Sequence, residues 1–149
     1  MGSFSDQISA FVRKSRASCS AIHANATVEL ERAIIKDSPL KTGRTKANWQ
    51  ATVNAPAITA LYEKTGIDFY TSNYNWQKTV KESEDRMKML GIDGVTYINN
   101  LVNYVVELEY NAPGEGGSYQ APNGMARINV ARWKEIVGIA LQKTQFELR

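Results

Sequence analysis

The chain has 149 residues, 43% hydrophobic and 22% charged, a composition that fits one folded domain with a real core and is short for two. No run of 18 apolar residues occurs, which argues against a membrane span, and the start, Met1 to Asp6, has neither a basic leader nor an apolar block, so no signal peptide is expected. Net charge is +3, concentrated in residues 1–50, where eight Lys/Arg face four Asp/Glu; that excess is thinner than a dedicated duplex-binding face carries.

Phe4, Ile8, Phe11, Ser15, Cys19, Ile22, Ala26, Leu30, Ala33 and Ile34 recur at steps of three and four. That spacing predicts a helix of about 30 residues with one narrow apolar stripe, leaving Arg13, Lys14, Glu31 and Lys36 on the other side. Cys19, the single cysteine, excludes an internal disulfide and reads as a small buried hydrophobe. Asp37-Ser38-Pro39 stops the helix, because the residue before a proline is pushed out of the helical region. At 1.5 Å per residue such a helix spans about 45 Å. The rest of so short a chain cannot cover it, so a partner is implied.

Trp49 to Asn54 alternates as a half-buried strand. Residues 55–74 read as a loop with a short irregular element. A second helix is expected from about Asn75, with Trp76, Val80, Met87 and Leu90 on one side and Gly91 as its stop. Ile92-Asp93-Gly94 signals a turn, Val95 to Asn99 a second strand, and Leu101 to Leu108 a short helix with Leu101, Tyr104, Val105 and Leu108 on one face. Asn111 to Asn123, with three Gly and two Pro, reads as an exposed loop with no core of its own, expected to order on assembly. A last helix runs from about Met125 to Phe146, burying Ile128, Trp133, Ile136, Val137, Ala140 and Leu141. The sum is an α+β domain with long N- and C-terminal helices packed on a small antiparallel sheet.

Chemistry-bearing patterns are sparse. His23 is the lone histidine, reading as a surface or boundary residue, and the acidic run Glu82 to Asp85 interleaves with Lys81, Arg86 and Lys88 as a solvated helix face would. Glu107 and Glu109 are a conceivable acid–base pair without a second partner; Glu107 reads better as a cap or clamp on the loop that follows. "SPLKTGRTKANW" (38–49) has one Gly and no Gly-Lys-Ser/Thr, and lies after a helix and before a strand, the inverse of a phosphate loop. Lys41, Arg44 and Lys46, near Trp49, leave nucleic-acid contact open beside the plainer reading of a Pro/Gly corner.

Three segments together resemble a family of small tail-completion or neck proteins of long-tailed bacteriophages. Ser38-Pro39-x-x-Thr42-Gly43-Arg44 with Asn48-Trp49 is similar to its opening signature. Tyr97 to Tyr110, with Asn99, Tyr104 and Glu107, is similar to its middle element, and Ala121 to Arg127, with Gly124 and Met125, to its closing one. Order and spacing agree over about 100 residues. Leu40-Lys41, Val105 and Asn111 depart from the pattern, and residues 55–92 are long for it, reading as an insertion or extended region of the single domain 1–149. The resemblance implies a virion structural protein without enzymatic activity or cofactor, assembled in the host cytoplasm. It would form a homo-oligomeric ring, commonly a hexamer, between the connector or adaptor and the tail terminator, with passing contact to genomic DNA. Lys41, Arg44 and Lys46 would face either the channel or a subunit seam. The alternative is a small nucleic-acid-binding protein using the basic N-terminal third.

Overall fold

The computed structural model describes residues 3–40, 43–61 and 76–147; Lys41, Thr42, most of the stretch expected as an irregular loop and the side chain of Trp76 lie outside them. The fold is α+β. Helix α1 (Phe4–Asp37) leads to a one-turn helix α2 (Arg44–Ala47) and strand β1 (Trp49–Val53). Helix α3 (Trp76–Met87), strand β2 (Thr96–Asn100) and the short helices α4 (Val105–Tyr110) and α5 (Ala126–Ala131) follow, and α6 (Trp133–Glu147) comes last. The strands pair antiparallel, Trp49 opposite Asn100 and Val53 opposite Thr96.

Helix α1 starts at a capping box, in which the Ser3 hydroxyl accepts the Asp6 N–H and the Asp6 carboxylate accepts the Ser3 N–H. Its second half lies in the core: Val28, Ile34 and Ile35 pack with Trp49, Ala51, Val80, Met87, Ala121 and Met125. Its first half stands clear of the body, with Phe4 79% and Phe11 69% exposed and Ile8 and Val12 also exposed. The stripe is therefore continuous in sequence but covered by the described residues only at one end. Cys19 lies on the uncovered part and is exposed rather than buried.

Glu31 reverses its expected placement. It is fully buried, and its Oε1 accepts the Ala51 N–H (3.0 Å) and the Ser83 hydroxyl (2.9 Å). Arg86 completes the knot, donating from Nε to the Ala51 carbonyl and from an Nη to Ser83, both at 2.8 Å. The edge strand beneath two helices thus has the peptide groups of Ala51 satisfied by side chains of α1 and α3.

The C-terminal segment is two helices, not one. Asn129, buried in α5, donates to Asp37 at the end of α1 and to the Met125 carbonyl. The chain turns at Arg132, and α6 then runs back along α1, where Asn25 donates to Thr144 and Glu147. Ile136, Ala140 and Thr144 form the buried line, while Trp133 and Leu141 are exposed and Ile128 and Val137 half-buried. Helix α3 ends at Met87, before Gly91, though Val80, Met87 and Leu90 are buried as expected; Leu101 is exposed. The 111–124 segment is built into the fold. Gly117 donates to Ala112, Asn111 to the Glu115 carbonyl, and Ala121 is buried in the core.

Burial raises the Glu31 carboxyl to about 7, against the opposing pull of Ser83, the Ala51 N–H and Arg86. A carboxyl whose folded value lies above its unfolded one favours folding fully below the unfolded value and loses that contribution as pH rises through the folded value. Thermal melts should therefore show stability falling by on the order of 3 kcal/mol between about pH 4.5 and 8, with Glu31→Gln flattening that slope. Equal slopes in the two proteins would contradict this.

Candidate functional site

The corner after α1 is assembled from the 38–49 stretch. Proline at 39 prevents continuation, and Ser38 turns extended while its hydroxyl donates to the Ile34 carbonyl and accepts the Trp49 indole N–H, both at 2.8 Å and buried. Gly43 sits in left-handed backbone (φ 77°) at the start of α2, where a side chain would be strained. Asn48, wholly buried, donates to the Arg44 carbonyl, and Asn100 donates to the Thr45 carbonyl, both at 2.8 Å, closing α2 against β2. Ser38, Pro39, Gly43 and Trp49 thus form one unit.

The two described cations of this stretch are engaged within the chain. Lys46 donates its ammonium to the Lys36 carbonyl (3.0 Å) in the last turn of α1, where the helix dipole favours a cation. Burial lowers its pKa, with Asp37 pulling the other way. The Arg44 guanidinium lies over the Tyr104 ring, 6.0 Å from its centroid. Asn99 uses its side-chain amide on both peptide groups of Ala57, holding residues 55–58 beside β2.

The clamp expected of Glu107 belongs to Glu109. Glu107 is exposed, whereas the Glu109 carboxylate accepts three successive N–H groups at the start of α5: Met125 (2.7 Å), Ala126 (2.9 Å) and Arg127 (2.8 Å). The Arg127 side chain adds a contact at 3.3 Å and lies over the Tyr110 ring. Gly124, at φ 82°, is required twice over: a Cβ there would fall 2.6 Å from Glu109 Oε1 and 2.7 Å from its carbonyl oxygen. Burial works to raise the Glu109 pKa, but the N–H groups of Arg127, Met125 and Ala126 outweigh it and hold the carboxyl below its usual range. The sequence carried one signal for this: an acid in the last turn of α4, opposed by that helix's own dipole, needs a compensating partner.

Glu107 and Glu109 face different surroundings, the first exposed and the second held by the N–H groups at the start of α5. His23 is half-buried and hydrogen-bonded to Thr96 (3.0 Å), which in turn contacts Thr27. Among the described residues no group of three or more His, Cys, Asp or Glu is placed to hold a metal. Comparison with family models, curated proteins and solved structures finds no match.

Glu109→Ala would orphan three N–H groups at once, and denaturant unfolding should register a loss of about 2–4 kcal/mol at neutral pH. Because the folded carboxyl is lowered, its contribution is present above the unfolded value and lost as pH falls through the folded one. The gap between wild type and variant should therefore narrow in acid.

Proposed function

We propose that this chain is a non-enzymatic structural subunit of a bacteriophage neck, closing a ring between the connector or adaptor and the tail terminator. The observation that carries the reading is the first half of α1, an apolar helical face exposed from Phe4 to Val12 on a capped helix. Such a face is stable in position but uncovered, as an assembly surface must be. The three-segment resemblance supplies the kind of assembly. Two of its segments coincide with rigid devices, the Ser38–Trp49 corner and the Gly124–Met125 seat of Glu109. Lys46 and Arg44 are engaged by the end of α1 and by Tyr104, which leaves these two cations poorly placed for a grip on DNA.

The test is genetic and direct. Phage lacking this chain should accumulate filled heads and free tails that do not join, and the protein should be found at the head–tail junction of wild-type particles by electron microscopy. Normal infectious particles formed without it would refute the proposal. A duplex titration at low salt should give weak binding that Lys46→Ala scarcely changes, while the same substitution lowers thermal stability.

A further inference from the structure

The two edges of the sheet are finished differently. Ala51 turns its N–H and C=O away from β2, toward Glu31 and Arg86, so the Ala51–Ile98 pair of the ladder shares no hydrogen bond. Ile98 therefore points its own N–H and C=O away from β1, as do Thr96 and Asn100 to either side of it. No described residue hydrogen-bonds any of these outward peptide groups. The Thr96 hydroxyl meets His23 and Thr27, and the Asn100 side chain meets Thr45 and Val102, but the main chain on that side stays unpaired among the described residues. Thr96, Ile98 and Asn100 are half-buried, so solvent still reaches the edge. The usual guards of a free edge are missing. From Gly94 to Val106 the sequence has no charged residue and no proline, and no residue of β2 adopts the positive φ of a glycine-type bulge. Val95, Tyr97 and Leu101 stand exposed along it.

We infer that this edge pairs with the same edge of a second copy, β2 against β2, antiparallel about a two-fold axis at Ile98. The occupant is a strand because an extended backbone offers donors and acceptors at the spacing these groups require. It is the second copy's β2 because, of the two described strands, β1 has its outer edge closed by Glu31 and Arg86. The register follows from the outward groups. Ile98 exchanges both bonds with its symmetry mate, and Thr96 does so with Asn100 of the second copy, about six backbone hydrogen bonds in all. The same axis sets Val95 opposite Leu101 at both ends and Tyr97 opposite Asn99, so exposed apolar side chains meet one another. A slip of one residue would set outward groups against inward ones and lose the bonds. Pairing joins two small sheets into one, where a lone pair of strands is marginal. An isologous contact closes on two copies, so it is separate from the heterologous seam of a ring and does not rest on the neck reading.

Hydrogen exchange and sedimentation of the full chain test this together. In dilute protein the Ile98 amide should exchange freely, while that of Ala51, bound by Glu31, is protected. As concentration rises, a monomer–dimer equilibrium should appear and the Ile98 amide should gain protection in step with the dimer. Val95→Lys with Leu101→Lys puts like charges opposite each other at both ends and should weaken the dimer at least about tenfold. Val95→Lys with Leu101→Glu puts opposite charges there and should restore it. Both positions are exposed, so circular dichroism should be the same for the two variants. In a Cys19→Ser background under mild oxidation, Val95→Cys copies should form disulfides with Leu101→Cys copies, and neither with itself. A chain that stays monomeric up to its solubility limit, a dimer whose Ile98 amide still exchanges freely, or equal dimerisation of the two charged variants would overturn the pairing. Protection of Ile98 that appears only when another protein is added would give the edge to a foreign strand and overturn it too. The neck reading is untouched by any of these results and stands or falls on the particle experiment.

Discussion

The peptide groups of Ala51 set the terms for the rest of this fold. A two-stranded sheet has two edges, and β1 passes under α1 and α3, where water cannot serve its backbone. The chain meets the demand with an acceptor from one helix, Glu31, and a donor from the other, Arg86, bridged by Ser83. That arrangement fixes both helices on the strand and explains why a carboxylate sits among Val28, Ile34 and Ile35. The cost is also visible, since Glu31 Oε2 is buried without a hydrogen-bond partner among the described residues. A fully apolar junction would pack as well but would leave the strand edge unpaired.

The same device recurs at the other end of the molecule. Glu109 does for the start of α5 what Glu31 does for the strand, filling backbone donors with a side chain from a separate element. Ser38 does so on a smaller scale, linking the last turn of α1 to the Trp49 indole. These local closures let a small sheet and several short helices hold a defined shape around one long helix. The 111–124 segment, poor in apolar residues, is kept in place by turns and by Ala121 rather than by a core of its own.

What periodicity and punctuation can express was legible in the sequence. The stop of α1 at Asp37, the strand from Trp49 and the second strand, displaced by one residue, all follow from a proline or an alternation within a few positions. The misses share a cause: their partners are remote in the chain. Glu31 looked solvent-facing because nothing local announces Ala51 or Ser83, 20 and 52 residues away. Glu109 is hard to tell from Glu107 locally because its partners begin 16 residues on. The turn at Arg132 has neither Gly nor Pro; it answers to Asn129 being held by Asp37, 92 residues upstream. Cys19 fitted the stripe, but a stripe says which face is apolar and not whether anything covers it.

Helix α1 is unbroken from Phe4 to Asp37, so its free end and its corner share one rotational phase. The stripe returns every 11 residues, through Phe4, Ser15 and Ala26. Eleven residues of α-helix rotate by three turns and about 20°. Losing such a block from the outer half would shorten the projection by about 16 Å yet present nearly the same face, whereas losing two residues would swing that face by about 160°. Length drift in this helix is therefore tolerable only in near-integral turns, and the helix acts as a keyed shaft whose reach can vary while its orientation cannot.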